Sequence, residues 1–195
     1  MKPDQVFDLA LAFVLPTEGG VSNDPNDSGG LTNHGITQAE YDSWRKRTLV
    51  PLQSVTQITS DEVDAIYRSD YWNPIQGDNL SVDLPKLAII VLDWSINHGP
   101  AGAIQTLQRC VYSVPDGIIG PHTLGAVRSY VLQNSEWALC QAFDAARKAW
   151  YIQDVAANSS QRRFLTGWEN RIVDLEKYLT NINFSVPSTQ ADAIT

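Results

Sequence analysis

The sequence predicts a mainly α-helical unit with at most one small β-hairpin. Three observations lead there. Apolar residues recur at helical spacing through most of the chain, two Thr-x-x-Glu boxes open helices, and Gly, Asn and Asp crowd into one early stretch.

Val6, Leu9, Ala10, Phe13 and Val14 share one helical face, which predicts an amphipathic helix over 4–15, stopped by Pro16 and Gly19-Gly20. Residues 19–36 are turn and hairpin chemistry, since Gly and Asn tolerate positive φ. Thr37-Gln38-Ala39-Glu40 and Thr59-Ser60-Asp61-Glu62 are capping boxes for short helices reaching Arg47 and Tyr71. Leu87, Ile90, Val91 and Trp94 mark a buried helix over 84–97, broken at His98-Gly99-Pro100. Ile104, Leu107 and Val111 carry the next one. Pro115-Asp116-Gly117 is a turn, and Pro121 opens a helix to Leu132 from its favoured first-turn position. Two longer helices, over 135–156 and 161–179, close the fold, and residues 181–195 lack a helical period and read as a flexible tail.

At 195 residues and 43% hydrophobic, the chain is long enough to fold around its own core without disulfide or metal. Fourteen basic against twenty-two acidic residues leave a net charge of −8. Such a surface gains nothing from phosphate counterion release, so neither nucleic acid nor stable membrane association is expected. The apolar run Leu9–Leu15 is too short for a membrane span, which needs roughly 20 residues. It also lacks a basic flank and a cleavage site, so no signal peptide is expected. Cys110 and Cys140 have no metal spacing and read as a buried pair of free thiols, with a single bridge as the alternative; His34, His98 and His122 are scattered and read as structural or surface groups.

Residues 17–37, TEGGVSNDPNDSGGLTNHGIT, concentrate the polar chemistry. Three readings compete for them. Asp24, Asn26, Ser28 and Gly29 match the opening of a calcium loop, but its twelfth position is Gly35 where a bidentate Glu is required, so metal is discounted. Asp24 and Asn26 are better explained as groups that satisfy their own turn. The third reading is a glycosidase pair, with Glu18 and Asp27 folded across a cleft as acid and ionised carboxylate.

The ordered run Glu18-Gly19-Gly20, Asn23-Asp24-Pro25-Asn26-Asp27, Gly29-Gly30, Thr32-Asn33 and Gly35-Ile36-Thr37 resembles the signature of the glycoside hydrolase 108 family. These are N-acetylmuramidases related to phage lysozymes, and many are phage endolysins. The similarity continues through Tyr71-Trp72, Asp93, Asn97, Leu107-Gln108 and Asp116 to Pro121. Those last two segments resemble a C-terminal half known as the predicted peptidoglycan domain, and Phe164 with Gly167-Trp168-Glu169-Asn170-Arg171 extends the likeness to the final helix. Val21 and Ser28 stand where the family commonly has Tyr and Pro. The spacing from Asp27 to Thr32 is one residue shorter than the phage-lysozyme pattern.

The resemblance implies a lysozyme-like fold and hydrolysis of the β-1,4 bond between N-acetylmuramic acid and N-acetylglucosamine, without cofactor. It assigns the acid to Glu18 and, by analogy with phage lysozymes, gives Asp27 and Thr32 the other catalytic roles. Apolar neighbours at a helix end would keep Glu18 protonated, and a polar loop would keep Asp27 ionised. Asn33, Trp72, Asp93 and Asn97 are candidate substrate contacts, although core packing is the better reading for Trp72 and a buried polar contact suits Asp93 and Asn97 equally. Arg171 reads as a structural ion pair. Residues 1–100 would form the catalytic region and 101–180 a helical region packed with it as one unit. The expected protein is a monomeric endolysin whose partner is bacterial peptidoglycan. It would be made in the cytoplasm and act in the periplasm or wall after release by a holin or another export route. A lytic transglycosylase and a non-catalytic wall-binding scaffold are the alternatives.

Overall fold

From Leu87 to Ser95 every residue is buried, including Asp93, so the helix that carries them is sheathed on all sides. The rest of the fold is arranged around it. A computed structural model describes residues 1–22 and 30–184. In chain order the elements are α1 (Pro3–Glu18), β1 (Thr32–Asn33), β2 (Ile36–Thr37), α2 (Gln38–Arg47), α3 (Ser60–Tyr67), α4 (Gly77–Asp83), α5 (Pro85–His98), α6 (Pro100–Cys110), α7 (Pro121–Gln133), α8 (Glu136–Ala157) and α9 (Leu165–Asn181). The sheathed helix is α5, and α1, α4, α6 and α8 pack on it.

The mainly helical reading holds, with local differences that have physical causes. Pro16 does not end α1. The helix runs on to Glu18, and the Thr17 hydroxyl donates to the Val14 carbonyl at 2.7 Å in the last turn. Proline removes only one intrahelical donor, so a helix end already docked on a core tolerates it. Both capping boxes form, at Thr37–Glu40 and Thr59–Glu62. After α3 the chain widens into a π-type turn at Arg68–Trp72, and α4, too short to leave a periodic signal, follows. Residues 159–164 form a 3₁₀ segment before α9. The expected tail begins later than residue 181: Asn181 closes α9, and Phe184 packs on the core beneath the Lys86 ammonium, 5.7 Å from its ring. The remainder of that tail lies outside the described residues.

Both ends of α5 are fastened by the C-terminal half. Leu84 at its start offers no side-chain cap, and the Glu136 carboxylate of α8 instead accepts from the Lys86 and Leu87 amides at 2.7 and 3.1 Å. Towards the other end, buried Asp93 pairs with Arg147 of α8 at 2.6 Å, and Arg147 also meets Asp144 at 3.1 Å. A second hub lies between α6 and α7. Fully buried Gln108 gathers Asp116, the Ile118 carbonyl and Thr123, and its carbonyl accepts from the Gly117 amide, which holds the Pro115–Gly117 turn. Cys110 and Cys140 are both free, and burial pushes the Cys110 thiol up to about 11. No helix among the described residues is long and apolar enough to cross a membrane.

Two stability predictions follow from this arrangement. A Cβ on Gly77 would sit 2.2 Å from the ring of Trp72, which is 0% exposed and pinned by its indole donation to Asp78 at 2.7 Å. Gly77→Ala should therefore cost about 1–3 kcal/mol in urea unfolding through overpacking. Burial first, only partly opposed by Arg147, raises Asp144 from 3.8 to about 6. The folded state then binds more protons than the unfolded state within that range, so stability should be highest below it and fall as pH rises through about 6. Asp144→Asn should flatten this slope in unfolding curves taken across the same window.

Candidate active site

Glu18 is delivered by the last turn of α1, and its side chain is 20% exposed. Opposite it lies the turn of the β1–β2 hairpin, in which Thr32 pairs with Thr37 and Asn33 with Ile36. The two residues between the strands, His34 and Gly35, have φ of 51° and 74°. A two-residue turn with positive φ at both positions matches the right-handed twist of the strands, which explains the Asn-His-Gly sequence. Gly35 has a second reason to be glycine. A Cβ there would stand 3.0 Å from Glu18 Oε2 and 3.1 Å from Glu18 Cβ and Cγ. The turn is held from below by Tyr67, whose hydroxyl donates to the His34 carbonyl at 2.8 Å. Burial, followed by the nearby Glu18 carboxyl, drives the Tyr67 phenol well above its ordinary range, so it stays a neutral donor.

The other Glu18 oxygen faces a cation. Arg171 Nη2 of α9 lies 2.8 Å from Glu18 Oε1, close enough for an ion pair but not aligned as a hydrogen bond. The same guanidinium reaches Asp93 Oδ1 through Nε and Nη2, each at 2.9 Å. Burial alone would pull Arg171 down, but Asp93 and then Glu18 outweigh it and hold it above its ordinary value. Glu18, Arg171, Asp93, Arg147 and Asp144 thus form one chain of ion pairs from the half-exposed carboxyl into the core. The apolar surroundings expected for Glu18 are corrected on this point, because the Arg171 guanidinium lies 2.8 Å from its Oε1.

The other sequence candidates separate by burial. Asp27, with Asp24, Asn26 and Ser28, lies outside the described residues. Thr32 is partly exposed, and its backbone exchanges two 2.9 Å hydrogen bonds with Ser22, which adds a third short chain segment to the hairpin. Asn33 is buried and its amide donates to the Val55 carbonyl at 3.2 Å, so it anchors the hairpin instead of reaching a substrate. Trp72 is wholly within the core, against Phe7 and Asp78, and does not line a sugar site. Asp93 is likewise fully buried between two arginines and is not a saccharide contact. Asn97 is exposed and donates to the Asp93 carbonyl at 2.7 Å. It opens onto a groove of about 470 Å³ shared with Phe13, Thr17, Trp168, Asn170 and Arg171. Gly35, Tyr67 and Arg147 were not singled out by spacing; positive-φ demand after Asn-His was the one signal that pointed to Gly35. Among the described residues no cluster of three or more His, Cys, Asp or Glu could hold a metal.

A half-buried carboxyl on a helix end, facing a hairpin turn that only glycine can make so close, is an arrangement suited to proton donation in a cleft. Comparisons with known proteins agree with the geometry. The glycosyl hydrolase 108 family matches residues 11–99, and the family described as a predicted peptidoglycan domain matches residues 102–173. Among solved structures, SagA of Brucella abortus is similar at 31% identity and a TM-score of 0.75, over 91% of this chain and 95% of that one. No curated protein sequence matches significantly. With the hairpin after α1, the helical frame is lysozyme-like, and the chain belongs to the glycosyl hydrolase 108 family, with a predicted peptidoglycan domain as its C-terminal half.

Proposed function

We propose that this protein is an N-acetylmuramidase that hydrolyses the β-1,4 bond between N-acetylmuramic acid and N-acetylglucosamine and serves as an endolysin. The coarser statement, a glycoside hydrolase that degrades peptidoglycan, follows from the two families the chain matches. The single observation that carries the finer reading is the placement of Glu18, whose Oε2 faces the Gly35 turn at the mouth of the hairpin.

The leaving sugar oxygen must receive a proton as the glycosidic bond breaks, and Glu18 is the carboxyl that can supply it. The charge left on the sugar ring is oxocarbenium-like. An ionised Asp27 would stabilise it or orient the attacking water, with the Thr32 hydroxyl holding the same water. Peptidoglycan strands would enter along the exposed face shared by the hairpin and the end of α1. The protein is proposed to act as a monomer in the periplasm or wall, released there by a holin or another export route. A net charge of −8 provides no attraction to anionic lipid, and this supports dependence on such a route.

Mass spectrometry of digested purified peptidoglycan tests the reaction: reducing-end muropeptides are expected, anhydro-muropeptides would mean a transglycosylase, and no products would mean a scaffold. Glu18→Gln should remain folded yet lose roughly 10²–10⁴-fold in turnover, because the amide cannot donate the proton. Residual activity above a tenth of wild type would remove Glu18 from the acid role. The proposed compartment is tested by turbidity loss on Gram-negative cells. Intact cells should resist protein added from outside and chloroform-treated cells should lyse, whereas equal rates would show that the protein passes the outer membrane unaided.

A further inference from the structure

Among the described residues, Glu18 meets a cation from the C-terminal half, Arg171, whose Nη2 lies 2.8 Å from its Oε1. Arg171 falls within residues 102–173, the stretch matched by the predicted peptidoglycan domain, while Glu18 falls within residues 11–99. Its guanidinium is not a surface group that happens to reach the carboxyl. The side chain is 14% exposed and is seated by Asp93, which is itself 0% exposed and braced from behind by Arg147 at 2.6 Å. The helix bearing Arg171 is also fastened to α1, since the Tyr178 hydroxyl donates to the Leu9 carbonyl at 2.8 Å and the Tyr178 ring lies 5.4 Å from that of Phe13.

We propose that Arg171 is a positioning residue for Glu18, oriented by Asp93, so that the C-terminal half completes the catalytic centre and is not only a module that holds the wall. The inference rests on Glu18 acting as the acid. Two features of the contact define what Arg171 does. First, it distinguishes the two carboxyl oxygens: Nη2 lies 2.8 Å from Oε1, which leaves Oε2, on the Gly35 side, to carry the proton to the glycosidic oxygen. Second, the contact is worth more after the proton has left. When the O–H bond of Glu18 breaks and the proton moves to the leaving sugar oxygen, Glu18 becomes a carboxylate beside a guanidinium that is already in place. The guanidinium is already in place to stabilise that carboxylate as it forms. Asp93 keeps the cation from belonging to Glu18 alone, because it takes both Nε and Nη2 of Arg171.

The test uses full-length Arg171→Met and Arg171→Lys proteins on soluble uncrosslinked peptidoglycan strands, with pelleting on insoluble sacculi as a separate measure of wall binding. Met keeps the bulk of the side chain but removes the charge, and displacement of a catalytic group on this scale costs on the order of 10²-fold. The expected result for Arg171→Met is a cooperatively unfolding protein with kcat lowered by about that factor, KM within about twofold of wild type, and unchanged pelleting. Lys restores a charge but cannot span Asp93 and Glu18 with a planar fork, so Arg171→Lys should recover only part of kcat. The inference is overturned if folded Arg171→Met keeps more than a third of wild-type kcat, or if its loss lies in KM and pelleting, which would make Arg171 a wall-binding group. Should Arg171→Met fail to fold, Arg171→Lys decides: at least a tenfold lower kcat at unchanged KM supports the role, and any smaller loss overturns it. A wild-type protein that releases no muropeptides would overturn the glycosidase reading and this inference together, an outcome distinct from an active wild type with an unaffected Arg171→Met.

Discussion

A carboxylate buried at 0% exposure inside a helix that is apolar on every other side sets the terms for the whole molecule. Asp93 in the middle of α5 is that carboxylate. Left alone it would cost several kcal/mol or give up its charge, so the fold must bring cations to it. It brings two, Arg147 from α8 and Arg171 from α9, and each arrives with obligations of its own. Arg147 needs Asp144, and the Arg171 nitrogen that faces Asp93 faces Glu18 as well. Such a network is poor evidence for net stability, since desolvation consumes most of its Coulomb energy. What it does show is pairing: in this arrangement each of these charges on α5, α8, α9 and the end of α1 meets an opposite one.

The same logic explains why side chains of the second family match fasten an element of the first. α5 belongs to the first match, yet its N-terminal amides are capped by Glu136 and its buried acid is neutralised by Arg147, both from the second. Removing either half would expose the consecutive apolar run of α5 and strand a charge. The Gln108 hub extends the principle in neutral form. The Leu107-Gln108 and Asp116-Gly117 residues that carry the likeness of the C-terminal half are spent on internal turn geometry, with Gln108 bonded to Asp116, Ile118 and Thr123. What looks like a binding motif in one dimension is, here, the brace of a loop.

Much of the frame was legible in the sequence because it depends on local rules. The capping boxes at Thr37 and Thr59, the proline start at Pro121 and the apolar period of α5 each act within a turn or two of chain. The position of Glu18 where the first helix ends was legible too, from the glycine pair that follows it. What escaped was set by long-range contacts. Pro16 reads as a stop signal, but docking of α1 on the core overrides a single lost hydrogen bond. Asn33, Trp72 and Asp93 carry groups that suit a sugar, and only burial shows that they serve Val55, Asp78 and two arginines instead. Arg171 could be read as an ion-pair partner, but no spacing rule reveals that its partner sits 153 positions earlier. For Asp27 the comparison with structure stays open, since it lies beyond the described residues.

The Tyr178–Leu9 bond joins positions 169 residues apart, so α1 acquires this neighbour only after α9 has been made. On the ribosome, α1 can pack on α4 and α5 once those have emerged, and its contact with α9 is added later. The hairpin, α2 and α3 can form meanwhile, since their contacts are local. The same two helices meet again at the end of α1, where Arg171 lies 2.8 Å from Glu18. A translation product that stops before α9 lacks both contacts, and with them the guanidinium beside Glu18.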